Sequence, residues 1–417
     1  MPPTTHAIEF LTLGETQGGY SLVLSPLATL GFDPLGRPQG LYEGGLYTAR
    51  GLDGRCLEKK WVWEGDSDAR RHIRELTDPE RSALRARFGT LLAQARLALP
   101  ELAGRKALRR MDRGRELAPD IEAASRTLAR LAEGLEKSWD QDPAHFARVW
   151  RPLGILPPDQ YLALVIQVVE GCAWNQCAFC DFYAGRPFRV RSAEEILRHT
   201  DEAETFFGPA LAGRCSIFLG DANAFQAPPD LLISTAEKLA ARFPRLAAPQ
   251  RDGIGGLYGF AEAARLAAWT PADLRALAKT GFRRAYLGVE TGCDDLRRWL
   301  QKPGTSDTVI EAAAKLKGAG IDLGLIVLLG AGGVENARRH VEGTLSLLKR
   351  SPLGPGDLVY FSPLIVEEGS PYGRAAADRG WTPMGESALG AQRKEMEAAL
   401  PPRGERRALY DIREFLY

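Results

Sequence analysis

From residue 155 onward, apolar stretches of strand length alternate with segments whose apolar residues recur at helical spacing. Tyr161–Val169 is a nearly continuous apolar run, the pattern of a strand buried on both faces. Ser192-Ala193-Glu194-Glu195 then supplies a capping box, and Ile196 and Leu197 begin the apolar stripe of a helix. The spacing predicts further strands at Ser216–Leu219, Gly256–Phe260, Ala285–Val289, Leu323–Leu329 and Leu358–Phe361. Helices are expected between them: Pro229–Phe243, one opened by Thr270 and Pro271 and stopped at Gly281, one running to Gly318-Ala319-Gly320, and Asn336–Arg350. Six βα units in succession predict an α/β fold, a partial parallel (β/α)6 TIM-like barrel. An open doubly wound sheet has the same periodicity and remains the competing architecture.

Residues 1–155 follow a different pattern and are expected to form an N-terminal α+β appendage. Short β-like pieces (Phe10–Leu13, Tyr20–Leu24, Leu41–Tyr47, Trp61–Trp63) are separated by Gly-Gly, Asp-Pro and Asp53-Gly54 turn signals. Thr77-Asp78-Pro79-Glu80 opens a helix with Leu84, Phe88, Leu91, Leu92 and Ala95 on one face. Pro152, Pro157 and Pro158 mark a linker, residues 156–370 are assigned to the barrel, and residues 371–417 to a C-terminal helical tail.

Composition narrows the classes. The 417 residues carry 54 Lys+Arg against 53 Asp+Glu, so the chain as a whole offers no net field to nucleic acid or an anionic membrane. Residues 70–151 depart from that balance with 18 basic and 12 acidic side chains, and Arg105, Lys106, Arg109, Arg110, Arg113 and Arg115 fall within 105–115. The plain reading of that segment is a solvated helical face or loop; the alternative is a patch that docks RNA. Apolar runs are too short to span a membrane, and Met1–His6 lacks the features of a signal peptide, which makes a cytoplasmic location the expectation.

Candidate chemistry concentrates in Glu170–Tyr183. Of six cysteines, Cys56, Cys215 and Cys293 are scattered, whereas Cys172, Cys177 and Cys180 form a C-x4-C-x2-C loop where the first strand ends, at the barrel mouth where such folds keep their chemistry. Three thiolates with one open position suit a [4Fe-4S] cluster. A zinc-stabilised binding module is the alternative, although structural zinc asks for a fourth ligand that Cys215 or His199 would have to bring from another element. Asp221 in Leu219-Gly220-Asp221 is either a site carboxylate or a cap of the following turn, and Glu290 in Gly288-Val289-Glu290-Thr291-Gly292 either a ligand contact or the partner of Arg283 or Arg284. Gly330-Ala331-Gly332-Gly333 lacks the third glycine of a dinucleotide fingerprint, since Glu335 stands there.

In its cysteine loop, in Phe179 between the last two cysteines, and in the order of these later motifs, the chain resembles the radical S-adenosylmethionine (SAM) superfamily over about residues 160–370. A minority of that superfamily shares the C-x4-C-x2-C spacing. The resemblance implies that Cys172, Cys177 and Cys180 hold a [4Fe-4S] cluster, and that Phe179, Gly220, Asp221, Glu290, Gly330 and Gly332 line SAM. It further implies reductive cleavage of SAM to a 5′-deoxyadenosyl radical, hydrogen abstraction from an unidentified substrate, and a low-potential electron donor such as flavodoxin or ferredoxin. Lys302-Pro303-Gly304-Thr305 also looks like the turn after the fourth strand in these enzymes, and no chemistry is assigned to it. No cysteine-rich C-terminal domain follows, and Arg338–Gly343 lacks the Asp of a cobalamin motif.

Overall fold

The computed structural model describes residues 8–16, 18–26, 28–64, 68–249, 254–367 and 369–417; Met1–His6 lie outside them. The chain divides into two compact units, one of Leu153–Asp201 with Cys215–Ile412, the other of Met1–Pro152 with Glu202–Arg214 and Arg413–Tyr417.

The first unit is a parallel sheet whose strands lie side by side in chain order: β1 (Ala163–Gln167), β2 (Ser216–Gly220), β3 (Leu257–Ala261), β4 (Phe282–Glu290), β5 (Asp322–Leu329), β6 (Leu358–Pro363) and β7 (Arg406–Leu409). Helices Ala193–Phe207, Pro229–Arg242, Pro271–Lys279, Ser306–Gly318, Ala337–Arg350 and Glu386–Ala399 fill the crossovers, so the architecture is the partial TIM-like barrel. Every residue of β1 and β2 is buried, which is why their sequences read as unbroken apolar runs. The region after residue 370 is more than helical: β7 adds a seventh strand to β6. It escapes a pattern-based reading because Arg406-Arg407-Ala408-Leu409 is the sheet's outer strand and none of its residues is fully buried.

A short turn at Pro158–Gln160 leads into β1. There the Asp159 carboxylate accepts hydrogen bonds from Arg284 (3.0 Å), the Tyr286 hydroxyl (2.6 Å) and the Tyr360 hydroxyl (2.7 Å), tying the chain entering the sheet to β4 and β6. Charged and phenolic donors sharing one carboxylate leave few polar groups unsatisfied in this part of the core.

The second unit carries a nine-stranded sheet. Seven strands from Leu11–Thr16 to Asp68–Glu75 form an antiparallel meander, and Leu108–Asp112 pairs parallel with Leu11–Thr16. The expected piece Leu41–Tyr47 is two strands, because Gly44 and Gly45 turn the chain at positive φ (+58° and +85°). Helix Asp78–Gly104 packs Leu84, Phe88, Leu91, Leu92 and Ala95 into the same core as Leu11, Leu13, Leu22, Leu30 and helix Ile121–Val149. Trp150 is buried among Phe206 (ring centroids 5.2 Å), Phe207 (5.7 Å) and Tyr417 (5.9 Å). The basic segment is a hairpin, Leu108–Asp112 with Arg115–Leu117, preceded by a turn that holds Arg105 and Lys106 and tipped by a turn that holds Arg113; none of it is a helical face. Two of its arginines are partnered, Arg109 with Glu116 (2.9 Å) and Arg110 with Asp120 (3.7 Å), which lowers the field these two offer a phosphate backbone.

Candidate active site

Beyond β1, Val169–Glu170 pairs antiparallel with Arg189–Val190, so residues 171–188 form a loop closed at its base. Glu170 receives Arg189 (2.7 Å) and Arg191 (2.9 Å) across that closure. Gly171 sits at φ +71°, where a Cβ would stand 2.8 Å from the Pro187 carbonyl oxygen. Within the loop the Asn175 backbone N–H points at Cys172 Sγ (3.4 Å), its side-chain amide donates to the Tyr183 carbonyl (3.0 Å), and the Cys180 N–H donates to the Cys177 carbonyl (3.1 Å). The loop rests on the segment after the short helix Asp294–Trp299: Ala178 N–H donates to Leu300 O (3.0 Å), Trp174 Nε1 to Gln301 O (2.6 Å), and Cys177 Sγ lies 3.9 Å from that same oxygen. Phe179 packs against an apolar cluster of Leu300, Leu328, Ala331, Leu364, Tyr372 and Ala376.

Burial pushes the Cys177 thiol up to about 12 and the Cys180 thiol up to about 11, and Cys172 adds to the rise at Cys180. As free thiols these two are protonated at neutral pH, and a metal centre binding them displaces those protons. Among the described residues, no three His, Cys, Asp or Glu side chains stand close enough to hold a single metal ion as they are.

Asp221 follows β2 and is buried. Tyr183, from the cysteine loop, donates its hydroxyl to Asp221 Oδ1 (3.3 Å), and Gln167, the last residue of β1, donates to Oδ2 (3.4 Å). Gly220 beside it packs close to β1, with a Cβ there 3.3 Å from Val165 Cγ1. Desolvation raises the Asp221 carboxyl to about 7, with Arg186 opposing the rise. A folded-state value above the ordinary 3.8 means that the protonated form is favoured by folding. That stability is present below the unfolded value and is lost as pH rises through about 7. Asp221→Asn should therefore leave stability nearly unchanged at pH 4 and below, and raise the midpoint of urea unfolding progressively from there to pH 8. An equal effect at both pH values would count against this reading.

Glu290 ends β4, where a register shift between Gly288 and Glu290 and a φ of +56° turn its carboxylate inward. Its ion pair is with Lys302 (3.2 Å) and not with Arg283 or Arg284; Arg284 is committed to Asp159. Lys302 also holds Glu262, which follows β3, at 2.8 Å. Burial pushes the Glu290 carboxyl up and Lys302 draws it back, while the two carboxylates hold the Lys302 ammonium above its usual range. These charges are felt at the Cys177 thiol, which Lys302 lowers and both glutamates raise.

The turn that carries Glu290 is braced from two sides. Fully buried Arg297 donates to the carbonyls of Val289 (2.6 Å), Pro303 (2.9 Å) and Gly304 (3.2 Å). From helix Ala337–Arg350, His340 Nδ1 meets Thr291 Oγ1 (2.9 Å), and Thr344 Oγ1 accepts the Gly292 N–H (3.0 Å). Gly343 permits this approach, since a Cβ there would stand 2.9 Å from the Cys293 backbone nitrogen. His340 and Gly343 thus serve packing. Gly330 and Gly332, after β5, adopt φ of +79° and +84°.

The structure therefore brings the cysteine loop, Asp221, Glu290 and the glycine turn to the C-terminal ends of β1, β2, β4 and β5. Sequence reasoning missed Lys302, Glu262, Tyr183 and Gln167. Only Lys302 carried a signal, through the Lys302–Thr305 motif.

Residues 166–342 match the family model described as the radical SAM superfamily. None of the curated proteins searched matches the chain. Among solved structures the chain resembles OxsB, a cobalamin-dependent S-adenosylmethionine radical enzyme (16% identity over 57% of this chain and 31% of that one, TM-score 0.36). It also resembles TsrM, a radical S-adenosylmethionine methyltransferase from Kitasatospora setae (16% identity over 52% and 39%, TM-score 0.37), and HemN, the coproporphyrinogen III oxidase of Escherichia coli (14% identity over 61% and 54%, TM-score 0.39). The chain spans less than two thirds of the length of each.

Proposed function

We propose, from the match of residues 166–342 to the radical SAM superfamily, that this chain is an enzyme of that kind, that Cys172, Cys177 and Cys180 hold its [4Fe-4S] cluster, and that the surrounding strand ends bind SAM for radical chemistry on a separate substrate. Enzymes of this superfamily use that cluster and SAM, and require a reductant. The donor set fits by kind: three thiols on one short loop leave one iron of a cubane open for a further ligand, whereas structural zinc takes four protein ligands. When bound, the cluster supplies the electron that splits the SAM sulfonium.

The protein's part is binding, orientation and exclusion of water. Asp221, held by Tyr183 and Gln167, is positioned to accept hydrogen bonds from an ammonium group once deprotonated. Glu290, fixed by Lys302, has lone pairs left for ribose hydroxyls. Gly330 and Gly332 turn the backbone after β5 at positive φ, where the adenine would lie, and Phe179 packs on the apolar cluster beside them. No helix among the described residues is long and apolar enough to cross a membrane.

The observation that carries this reading is the docking of the cysteine loop on Leu300 and Gln301, next to the Glu262–Lys302–Glu290 cluster. The test is anaerobic reconstitution of the full chain with iron and sulfide, reduction by dithionite, and addition of SAM. A [4Fe-4S]⁺ EPR signal that SAM perturbs, with release of 5′-deoxyadenosine, is expected. Protein that takes up zinc and no labile sulfide overturns the proposal.

A further inference from the structure

The chain beyond Pro371 lies outside the matched residues 166–342, yet its side chains reach two loops of the candidate site. Tyr372 belongs to the short helix Pro371–Ala377, which Ser370 caps by accepting the Gly373 N–H (3.1 Å). The buried Tyr372 hydroxyl accepts the Gly332 N–H (3.1 Å) and donates to the Gly330 carbonyl (3.3 Å), so one oxygen spans the glycine turn. Gln392 Oε1 takes the Gly330 N–H (2.8 Å), and the Thr382 carbonyl takes the Val334 N–H (2.9 Å). Glu335 returns the contact by accepting the Thr382 N–H (2.9 Å).

The Tyr372 ring makes a second set of contacts. It meets Trp299 edge-on (5.1 Å, 79°), and Trp299 lies 4.4 Å from Trp381. Trp299, Trp381 and Phe179 all pack on the apolar cluster that includes Leu300 and Tyr372. Leu300 is the residue whose carbonyl holds Ala178 of the cysteine loop. Three of the four turn positions 330–333 are glycines at positive φ (Gly330, Gly332, Gly333) and are costly to order, because glycine gives up more freedom than any other residue. A loop of this kind binds a ligand well only if something else has already fixed it.

We infer that Pro371–Gln392 is a clamp that orders the Gly330–Gly333 turn against the cysteine loop, with Tyr372 as the positioning residue that joins the two. The inference rests on the reading of Gly330 and Gly332 as contacts of the adenosyl part of SAM. Tyr372 touches no reacting atom; it sets how well the nucleoside is received.

Tyr372→Phe keeps the ring and removes the bridging hydroxyl, leaving the Gly332 N–H without its acceptor. In the cluster-reconstituted full chain, iron and sulfide content and the EPR spectrum of the reduced cluster without SAM should match wild type. The SAM-induced change in that spectrum should then need about tenfold more SAM, the net worth of one hydrogen bond. Equilibrium dialysis with S-adenosylhomocysteine should show the same about tenfold loss. Gln392→Met serves as the second variant should Tyr372→Phe fail to take up iron, with the same result expected. Unchanged affinity for S-adenosylhomocysteine in an iron-loaded variant overturns the clamp. Wild-type protein that binds neither SAM nor S-adenosylhomocysteine overturns the underlying reading of the site instead.

Discussion

Replacement of Cys177 by alanine is expected to remove most of the iron and labile sulfide taken up on reconstitution and to lower the proposed SAM cleavage by more than about 100-fold, since even changes to the outer shell of a metal site cost about 10–100-fold. Cys177 is the middle of the three thiols and the one set against the Gln301 carbonyl, so its loss also weakens the loop's seat. Two remaining thiolates do not retain a cubane with one open iron. Cys215→Ala and Cys293→Ala are the matched controls, because both residues lie on other elements, and these variants should load iron as wild type does. Inductively coupled plasma iron analysis and 5′-deoxyadenosine quantification read both sets. Full iron loading of the Cys177 variant would show that the cluster has other ligands.

Lys302→Met should cost about 3–5 kcal/mol of stability, the penalty for stripping a buried ion pair of one partner. Lys302 is the shared cation of Glu262 and Glu290, and its side chain is only 10% exposed. Methionine has similar length and no charge, so the two carboxylates lose their direct partner and keep only the more distant Arg297 guanidinium. Both then protonate more readily in the folded state. A carboxyl whose folded value is raised favours folding at low pH and loses that contribution as pH rises through the folded value. The variant is thus expected to be closer to wild type at pH 5 than at pH 8. Adding Glu262→Gln should recover part of the loss, as contacting residues are not additive. Urea unfolding at the two pH values measures all of this, and a loss below about 1 kcal/mol at pH 8 would mean the cluster is solvated, as surface pairs are.

The contrast between Cys177 and Lys302 shows what was legible beforehand. The thiols stand within nine residues, and strands buried on both faces announce themselves as apolar runs, so the barrel and its cysteine loop could be read directly. Lys302 owes its role to Glu262, forty positions earlier, and to a bulge that turns Glu290 inward, neither of which has a local pattern. Tyr183 looked like one more aromatic after the cysteines; only the fold sets its hydroxyl against Asp221. β7 was invisible for a different reason, since a half-exposed outer strand needs no apolar face. The pairing of Leu11–Thr16 with Leu108–Asp112 likewise joins segments almost a hundred residues apart, beyond the reach of any periodicity.

Trp150 packs with Phe206 and Phe207, which follow the barrel's first segment, and with Tyr417, which follows its last. During synthesis the two phenylalanines follow Trp150 closely, while Tyr417 comes only after the second barrel segment. Their aromatic pocket stays open on one side until Tyr417 has been made. A fragment cut at Pro152 would lack all three of these rings and expose Trp150 to water.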